Sequence, residues 1–277
     1  MAILFALCSS IVWGCADTMG GVFSRRHPLA AVTLVSQAAG FVGLLAWLAT
    51  SGFHVDGRAF AFGLLAGLGG GSGLALFYRA LAVGTMSIVS PVAACGALVP
   101  FALALARGER PSALVLGGAV VALVGAVLAS ASEHRADDPG RRKGALLAIG
   151  AAVALGFFIY FLGIGGRHGE TLSTLVGARV GSLALLAAWA AATRAPVRVD
   201  RRALPGLAVL GLIDVTANGL FVLATARGYL SIVSVLGSLY PIVTVLAAYA
   251  LLGERIGALQ QVGVALALAG VAVVATG

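Results

Sequence analysis

Three ionisable side chains occur inside long apolar stretches of the sequence: the acids Asp17 and Asp214 and the base Arg179. If these stretches cross a membrane, each charge at a helix centre costs about 2.5–3.5 kcal/mol, and such residues normally face a bundle interior or a wet cavity. A carboxylate in a cavity can load and release a proton, and a guanidinium can bind a carboxylate or neutralise an aspartate. These three residues are therefore the first candidates for chemistry.

Uncharged polar residues extend this set. Asn218 lies four residues after Asp214 and shares its helix face, while Gln37 and Tyr160 lie within two other apolar stretches. The set predicts a cavity for substrate and protons at the middle of the membrane, lined by Asp17, Gln37, Tyr160, Arg179, Asp214 and Asn218. The alternative is a static Asp–Arg pair accompanied by hydrogen bonds between helices.

Other kinds of chemistry find little support in the sequence. All four histidines lie in connections, and no Ser–His–Asp set is apparent, so the sequence predicts no enzyme and no catalytic residue. The histidines do not cluster and the three cysteines lack CxxC spacing, so no metal site is predicted either. The glycine-rich residues 67–73 lack the Gly-Lys-Ser/Thr of a phosphate loop, and their spacing favours close helix packing. No cofactor is expected.

The composition places the chain in a membrane. Of its 277 residues, 60% are hydrophobic and 10% are charged, and the mean hydropathy is +1.05. A soluble domain needs more surface charge, and apolar stretches of about 20 residues are long enough to cross the bilayer. The net charge of +8 comes from arginines between the apolar stretches, which is normal for a membrane protein and does not indicate nucleic-acid binding.

The elements that must position the polar residues are helices, because a chain within the bilayer has to satisfy its backbone groups internally. The sequence predicts an all-α integral membrane protein with ten transmembrane helices joined by short connections. The predicted spans are residues 2–22, 29–50, 59–82, 86–106, 112–132, 144–164, 172–192, 204–226, 229–251 and 257–276.

The second half of the sequence repeats the first. Residues 77–130 correspond to 221–276, and Ser87-Ile88-Val89-Ser90 returns as Ser231-Ile232-Val233-Ser234. Five spans per half is an odd number, so the second half enters the membrane from the opposite side and the repeat is inverted. The predicted units are a five-helix repeat at residues 1–132, a charged linker at 133–143 and a second five-helix repeat at 144–277.

Prolines and acids mark bends and ends of the predicted helices. Pro91, Pro100 and Pro241 lie within the fourth and ninth spans, where a missing backbone donor predicts kinks that could line a cavity. Glu109 and Glu254 precede the fifth and tenth spans, where an acid meets the favourable end of the helix dipole.

Several motifs resemble the EamA-type branch of the drug/metabolite transporter superfamily. They are Trp13-Gly14-x-x-Asp17, the paired Gly108-Glu109-Arg110 and Gly253-Glu254-Arg255, Asp214 with Asn218, and Ser238-Leu239-Tyr240-Pro241. Together with the prolines and glutamates named above, Trp13 and Gly14 are the residues expected to have structural or gating roles. The resemblance covers essentially the whole chain. It implies ten helices, two inverted halves around a central cavity, and movement of small metabolites or toxic compounds, often outward.

The orientation in the membrane has two competing expectations. An even number of spans puts both termini on one side, and most loop arginines lie on the opposite side. The positive-inside rule then places both termini outside. The family resemblance implies cytoplasmic termini instead, and both orientations stay open at this point.

The sequence therefore predicts a secondary active transporter in the cytoplasmic membrane of a bacterium. We expect proton-coupled efflux of a small metabolite or toxic compound by alternating access, with Asp214 as the first choice of proton carrier and Asp17 as the second. The alternative is an uncoupled facilitator or uptake carrier for a small polar metabolite. The expected partners are a small-molecule substrate, protons and the lipid bilayer, with no nucleic acid; a homodimer is left open.

Overall fold

The computed structural model describes residues 1–50, 55–83, 92, 95–130, 141–168, 170–252 and 257–276. Over these residues the protein is helical and contains no β-strand. Pro91, Glu254 and most of the predicted linker lie outside the described residues. The first part of the chain forms α1 (Ala2–Ser24), α2 (Leu29–Thr50), α3 (Gly57–Val83), a 3₁₀ turn (Cys95–Ala97), α4 (Leu98–Ala106) and α5 (Ala113–Ser130).

The second part of the chain is also helical. It forms α6 (Arg141–Arg167), α7 (Thr171–Thr193), a 3₁₀ turn (Arg201–Ala203), α8 (Leu204–Thr225), α9 (Leu230–Gly237), α10 (Tyr240–Leu252) and α11 (Ala258–Thr276). Seven of the described helices are long and apolar enough to cross a membrane: α1, α2, α3, α6, α7, α8 and α11. Shorter apolar helical segments occupy the other three predicted spans. The expectation of an all-helical protein with membrane-spanning helices is confirmed.

The ninth predicted span is two helices rather than one kinked helix. Pro241 is the second residue of α10, and it has no N–H with which to reach Gly237, the last residue of α9. The N–H of Ser238 donates to the carbonyls of Ser234 and Val235 at 3.0 and 3.1 Å, which tightens the end of α9. The kink predicted at Pro241 is thus a break between two helical segments, and both segments lie within residues 229–252.

Pro100 also lies in the first turn of a helix. It is the third residue of α4, directly after the 3₁₀ turn, and it is buried. A proline in a first turn leaves no hydrogen bond unmade, whereas a proline in a helix interior costs about 3 kcal/mol. Of the three prolines predicted to kink helices, the two that the structure describes, Pro100 and Pro241, thus lie in the first turn of a helix.

The helices of the two halves pack on one another in a regular pattern. In the first half α3 lies against α6 and α7, and in the second half α8 lies against α1 and α2. The last helices of the two halves, α5 and α11, pack together. The third helix of each half therefore contacts the first two helices of the other half, and the core is built between the halves.

Glycines allow the closest of these approaches. A Cβ on Gly67 of α3 would overlap the carbonyl oxygen of Ala178 on α7, and a Cβ on Gly211 of α8 would overlap that of Ser36 on α2. The close helix packing expected at the glycine-rich stretch is therefore present. Ala178 and Ser36 directly precede Arg179 and Gln37, so these contacts fix the backbone beside two of the candidate residues.

Candidate functional site

Arg179 brings together polar side chains from three helices. Its Nη1 donates to Gln37 Oε1 on α2, and its Nη2 donates to Asp214 Oδ2 on α8 and forms an ion pair with it. Arg179 is only 5% exposed, whereas the Asp214 side chain is 30% exposed. A buried guanidinium needs partners of this kind, because an unpaired charge in a low-dielectric interior is expensive. The intramembrane Asp–Arg pair considered from the sequence is formed.

Two further side chains complete this group. Asn218 Nδ2 donates to the backbone carbonyl of Asp214 at 2.7 Å and to its Oδ2 at 3.2 Å. Ser182 Oγ donates to Gln37 Oε1 at 3.2 Å. We call Gln37, Arg179, Ser182, Asp214 and Asn218 the central polar cluster. Ser182 was not predicted, although it follows Arg179 by three residues and so shares its helix face.

One atom of the central polar cluster is left without a partner. The side-chain oxygen Oδ1 of Asn218 is buried and accepts no hydrogen bond from the described part of the protein. Asn218 as a whole is only 5% exposed. A buried acceptor that stays unpaired costs about 1–3 kcal/mol, so an orphan of this kind calls for an explanation.

Asp17 lies beside the cluster on α1. Ala6, Ser10 and Trp13 form a buried stripe on this helix, and Asp17 continues the stripe one turn further on. Its side chain is nevertheless exposed in the structure. Asp17 interacts electrostatically with Asp214 and with Tyr240, and within the described residues it has no hydrogen bond or ion pair.

Trp13 and Gly14 set the surroundings of Asp17. The Trp13 ring lies 5.5 Å from the ring of Phe221 and 6.4 Å from that of Tyr240, the latter edge-on at 72°. A Cβ on Gly14 would lie 2.9 Å from the carbonyl oxygen of Tyr240, so the absence of a side chain lets α1 approach α10. Trp13 and Gly14 thus shape the neighbourhood of the carboxylate.

Tyr160 lies in a different place from the central polar cluster. Its hydroxyl accepts a hydrogen bond from Arg107 Nη1 at 2.8 Å. Both residues border a cavity of about 290 Å³ near the helix ends, and no member of the central polar cluster lines it. The Phe62 and His168 rings stack in the same cavity at 5.2 Å. No pattern in the sequence indicates this grouping, because Arg107 and Tyr160 are 53 residues apart and lie in different halves.

Glu109 connects the two halves at the edge of this cavity. Its carboxylate accepts from the backbone N–H groups of Leu230 and Ser231, both at 2.8 Å, and from Ser231 Oγ at 2.7 Å. Arg167 forms an ion pair with it and also donates to the carbonyl of Gly228 at 3.0 Å. The acid therefore binds the free N–H groups at the start of α9, whereas the sequence had assigned it to the helix that follows it.

The environment of Glu109 shifts its proton affinity. Burial by itself raises the pKa of Glu109, whose side chain is 8% exposed. The hydrogen bonds from Ser231 and Leu230 and the charge of Arg167 more than offset burial, so the pKa lies below its usual value. Glu109 is therefore held as a carboxylate.

Known proteins resemble this chain in sequence and in fold. Residues 142–276 match the model of the EamA-like transporter family. No curated protein matches the chain. One solved crystal structure superposes with a TM-score of 0.78 at 18% sequence identity, covering 98% of this chain and 95% of that chain. At that identity the likeness establishes a shared fold.

Proposed function

Because residues 142–276 match the model of the EamA-like transporter family, we propose that the protein is a secondary active transporter of a small metabolite or toxic compound. It is a multi-pass membrane protein. The proposed transport runs outward across the bacterial cytoplasmic membrane by alternating access and is coupled to protons. The observation that carries this proposal is the central polar cluster, which places a buried arginine, a carboxylate and two amides inside an apolar bundle next to Asp17.

The proposed scaffold has ten transmembrane helices in two inverted halves. Equivalent contacts between the halves support it: α3 packs on α6 and α7, and in the same way α8 packs on α1 and α2. Support also comes from the central polar cluster, which takes Gln37 from the first half and Arg179 and Asp214 from the second. A site shared between two repeats is alternately accessible when one repeat rocks against the other.

The charges of Asp17, Asp214 and Arg179 favour proton coupling. Asp17 and Asp214 carry two negative charges, and Arg179 carries one positive charge, which leaves one unit negative when both acids are ionised. Because an uncompensated charge is costly within the membrane, the site reorients more readily after it gains a proton or a cation. Asp214 already has the guanidinium as a partner, so Asp17 is the group that gains the proton.

The test is transport into proteoliposomes under an imposed pH gradient. Radiolabelled amino acids, nucleosides, sugars and organic amines form the panel, and the variants are Asp17→Asn and Asp214→Asn. Asp200→Asn is the control, because Asp200 is exposed and caps the 3₁₀ turn before α8. We expect gradient-driven accumulation of one class by the wild type and the control, and its loss in both Asp17→Asn and Asp214→Asn. Wild-type accumulation by both of these variants would overturn the proposal.

An uncoupled facilitator is the second candidate. The observation that favours it is the ion pair between Arg179 and Asp214, which neutralises Asp214 without a proton. A facilitator predicts flux that follows the substrate gradient alone, with equal rates in the presence and absence of the pH gradient. The same vesicles therefore separate the two candidates.

A further inference from the structure

We propose that the transported compound presents a protonated amine, which binds to the carboxylate of Asp17 and the side-chain oxygen of Asn218 beside the rings of Trp13 and Tyr240. This inference rests on the proposed function, because it names the chemical class that the same site accepts.

The two charged groups Arg179 and Asp17 differ in whether a ligand can reach them. Arg179 is 5% exposed, and both of its terminal nitrogens are already bound, one to Gln37 and one to Asp214. Asp17 is exposed on the interior face of α1 and has no hydrogen bond or ion pair within the described residues. The charge that a ligand meets is therefore negative, and it favours a cation over a carboxylate.

The free hydrogen-bonding capacity of Asn218 and Asp17 also favours a particular kind of ligand. Asn218 uses its Nδ2 on Asp214, and its Oδ1 is a buried acceptor without a partner in the described residues. Asp17 is also an acceptor, since an ionised carboxylate has no proton to donate. Two acceptors without a partner, one exposed and one buried, are satisfied by a ligand that donates N–H groups. An ammonium group donates up to three, whereas a carboxylate donates none.

Contacts between α1 and α8 place these groups relative to one another. Ser9 Oγ on α1 donates to the carbonyl of Ala217 on α8 at 2.8 Å, and Trp13 packs on Phe221. These contacts hold the Trp13–Asp17 turn of α1 against the α8 segment that carries Asn218. The two acceptors thus lie along one seam between α1 and α8.

Aromatic rings border this seam. Trp13 lies 6.4 Å from Tyr240, and Tyr240 interacts electrostatically with Asp17. The face of an aromatic ring attracts cations, with tryptophan the strongest of the aromatic side chains. A carboxylate next to aromatic rings binds an amine that carries an apolar body. The binding partner is therefore an amphipathic organic amine.

The experiment compares matched compounds by thermal unfolding of the purified protein in detergent at constant pH. The probes are phenethylamine, its trimethylammonium analogue, 3-phenylpropionate and phenylalanine, which share an aromatic body and differ in the charged group. We expect phenethylamine to raise Tm in a concentration-dependent way and 3-phenylpropionate to leave it unchanged. The trimethylammonium analogue has no N–H and should bind more weakly.

Variants locate the binding site. Asp17→Asn and Asn218→Leu should each weaken phenethylamine binding about tenfold or more, because each removes an acceptor for a charged donor. Asp17→Glu should retain binding, and Asp200→Asn is the control outside the cluster. If Asp17→Asn does not fold, the Asn218→Leu and Asp17→Glu pair still decides the question.

The outcomes separate this inference from the proposed function. Stabilisation by 3-phenylpropionate in preference to the amine, or by phenylalanine alone, would overturn amine recognition and leave transport intact. If simple amines of several sizes do not raise Tm while the protein still shows pH-driven flux, amine recognition is likewise overturned and the proposed transport is not. Wild-type flux in the Asp17→Asn and Asp214→Asn vesicles would instead contradict the proposed function itself.

Discussion

Arg179 and Asp214 stabilise each other inside the bundle, and each is costly without the other. Arg179 is almost fully buried, so its charge is offset by Asp214 and by the Gln37 oxygen rather than by water. Removal of one partner of a buried pair leaves an uncompensated charge, which typically costs about 3–5 kcal/mol. Replacement of both partners by apolar residues avoids that cost.

This asymmetry gives a prediction for single and double variants. Arg179→Met should lower Tm strongly, because Asp214 then lacks its partner. The double variant Arg179→Met with Asp214→Leu should recover a large part of the loss. Thermal unfolding in detergent measures both. If the loss of Tm in the double variant equals the sum of the losses in Arg179→Met and in Asp214→Leu, the two residues do not act as a pair.

Glu109 makes stability depend on acidity. Its pKa in the folded protein lies below the usual value of 4.5, because Ser231, Leu230 and Arg167 offset the effect of burial. A carboxyl with a lowered folded pKa contributes stability that is present above its unfolded pKa. That contribution is lost as the pH falls through the folded pKa.

We therefore expect the Tm difference between wild type and Glu109→Gln to be largest near neutral pH and to shrink on acidification. A series of Tm measurements from about pH 7 to about pH 3 tests this. Glu170→Gln is the matched control, since Glu170 is an exposed acid directly before α7. A Tm difference that stays constant over the series would contradict the assignment.

At the scale of elements, close helix crossings position the functional residues. Gly67 permits the approach of α3 to α7 immediately before Arg179. Gly67→Ala should push the helices apart, lower Tm and reduce transport together, because Arg179 moves with α7. Gly117→Ala is the control: a Cβ there meets nothing within 4 Å, and alanine favours a helix by about 0.5–1 kcal/mol. Equal behaviour of the two variants in Tm and flux would contradict this role.

Sequence reasoning reached the helices and part of the cluster. Apolar length alone located the spans, and the cost of charges in a membrane singled out Arg179 and Asp214, which are indeed paired. A kink at Pro241 was predicted but a full break between two helices was not, because an interior kink and a helix start have the same local pattern. Tyr160 was placed with the wrong neighbours for a different reason. Which helix faces meet is decided by packing across the two halves, and the sequence does not reveal it.

The sequence also does not show which contacts form between the two halves. Glu109 is followed by its own helix, yet its carboxylate binds the N–H groups of Leu230 and Ser231, more than a hundred residues away. A repeat identifies equivalent positions in the two halves. It does not identify which helix end an acid will reach, since that depends on the relative placement of the halves.

At the scale of the whole molecule, inversion of the repeat gives a topological prediction. In a ten-span inverted protein, the connection between α2 and α3 and the connection between α7 and α8 lie on opposite sides of the membrane. Val55 and Val197 lie in these connections, and both are exposed. With the three native cysteines replaced, Val55→Cys and Val197→Cys should differ in labelling by an impermeant thiol reagent on intact cells.

Permeabilised cells provide the control, because both engineered cysteines should then react. The side that is labelled on intact cells also decides between the two orientations expected from the sequence. Labelling of both positions on intact cells, or of neither, would contradict an inverted arrangement of the halves.

The central claim is that Asp17, beside the central polar cluster, exchanges a proton as the compound moves. The most direct measurement is proton flux in proteoliposomes loaded with a pH-sensitive dye, started by addition of a compound that stabilises the protein. We predict a compound-dependent pH change in wild type and in Asp200→Asn, and no such change in Asp17→Asn. Transport of the compound by wild type without any proton movement, or undiminished proton flux in Asp17→Asn, would contradict the claim.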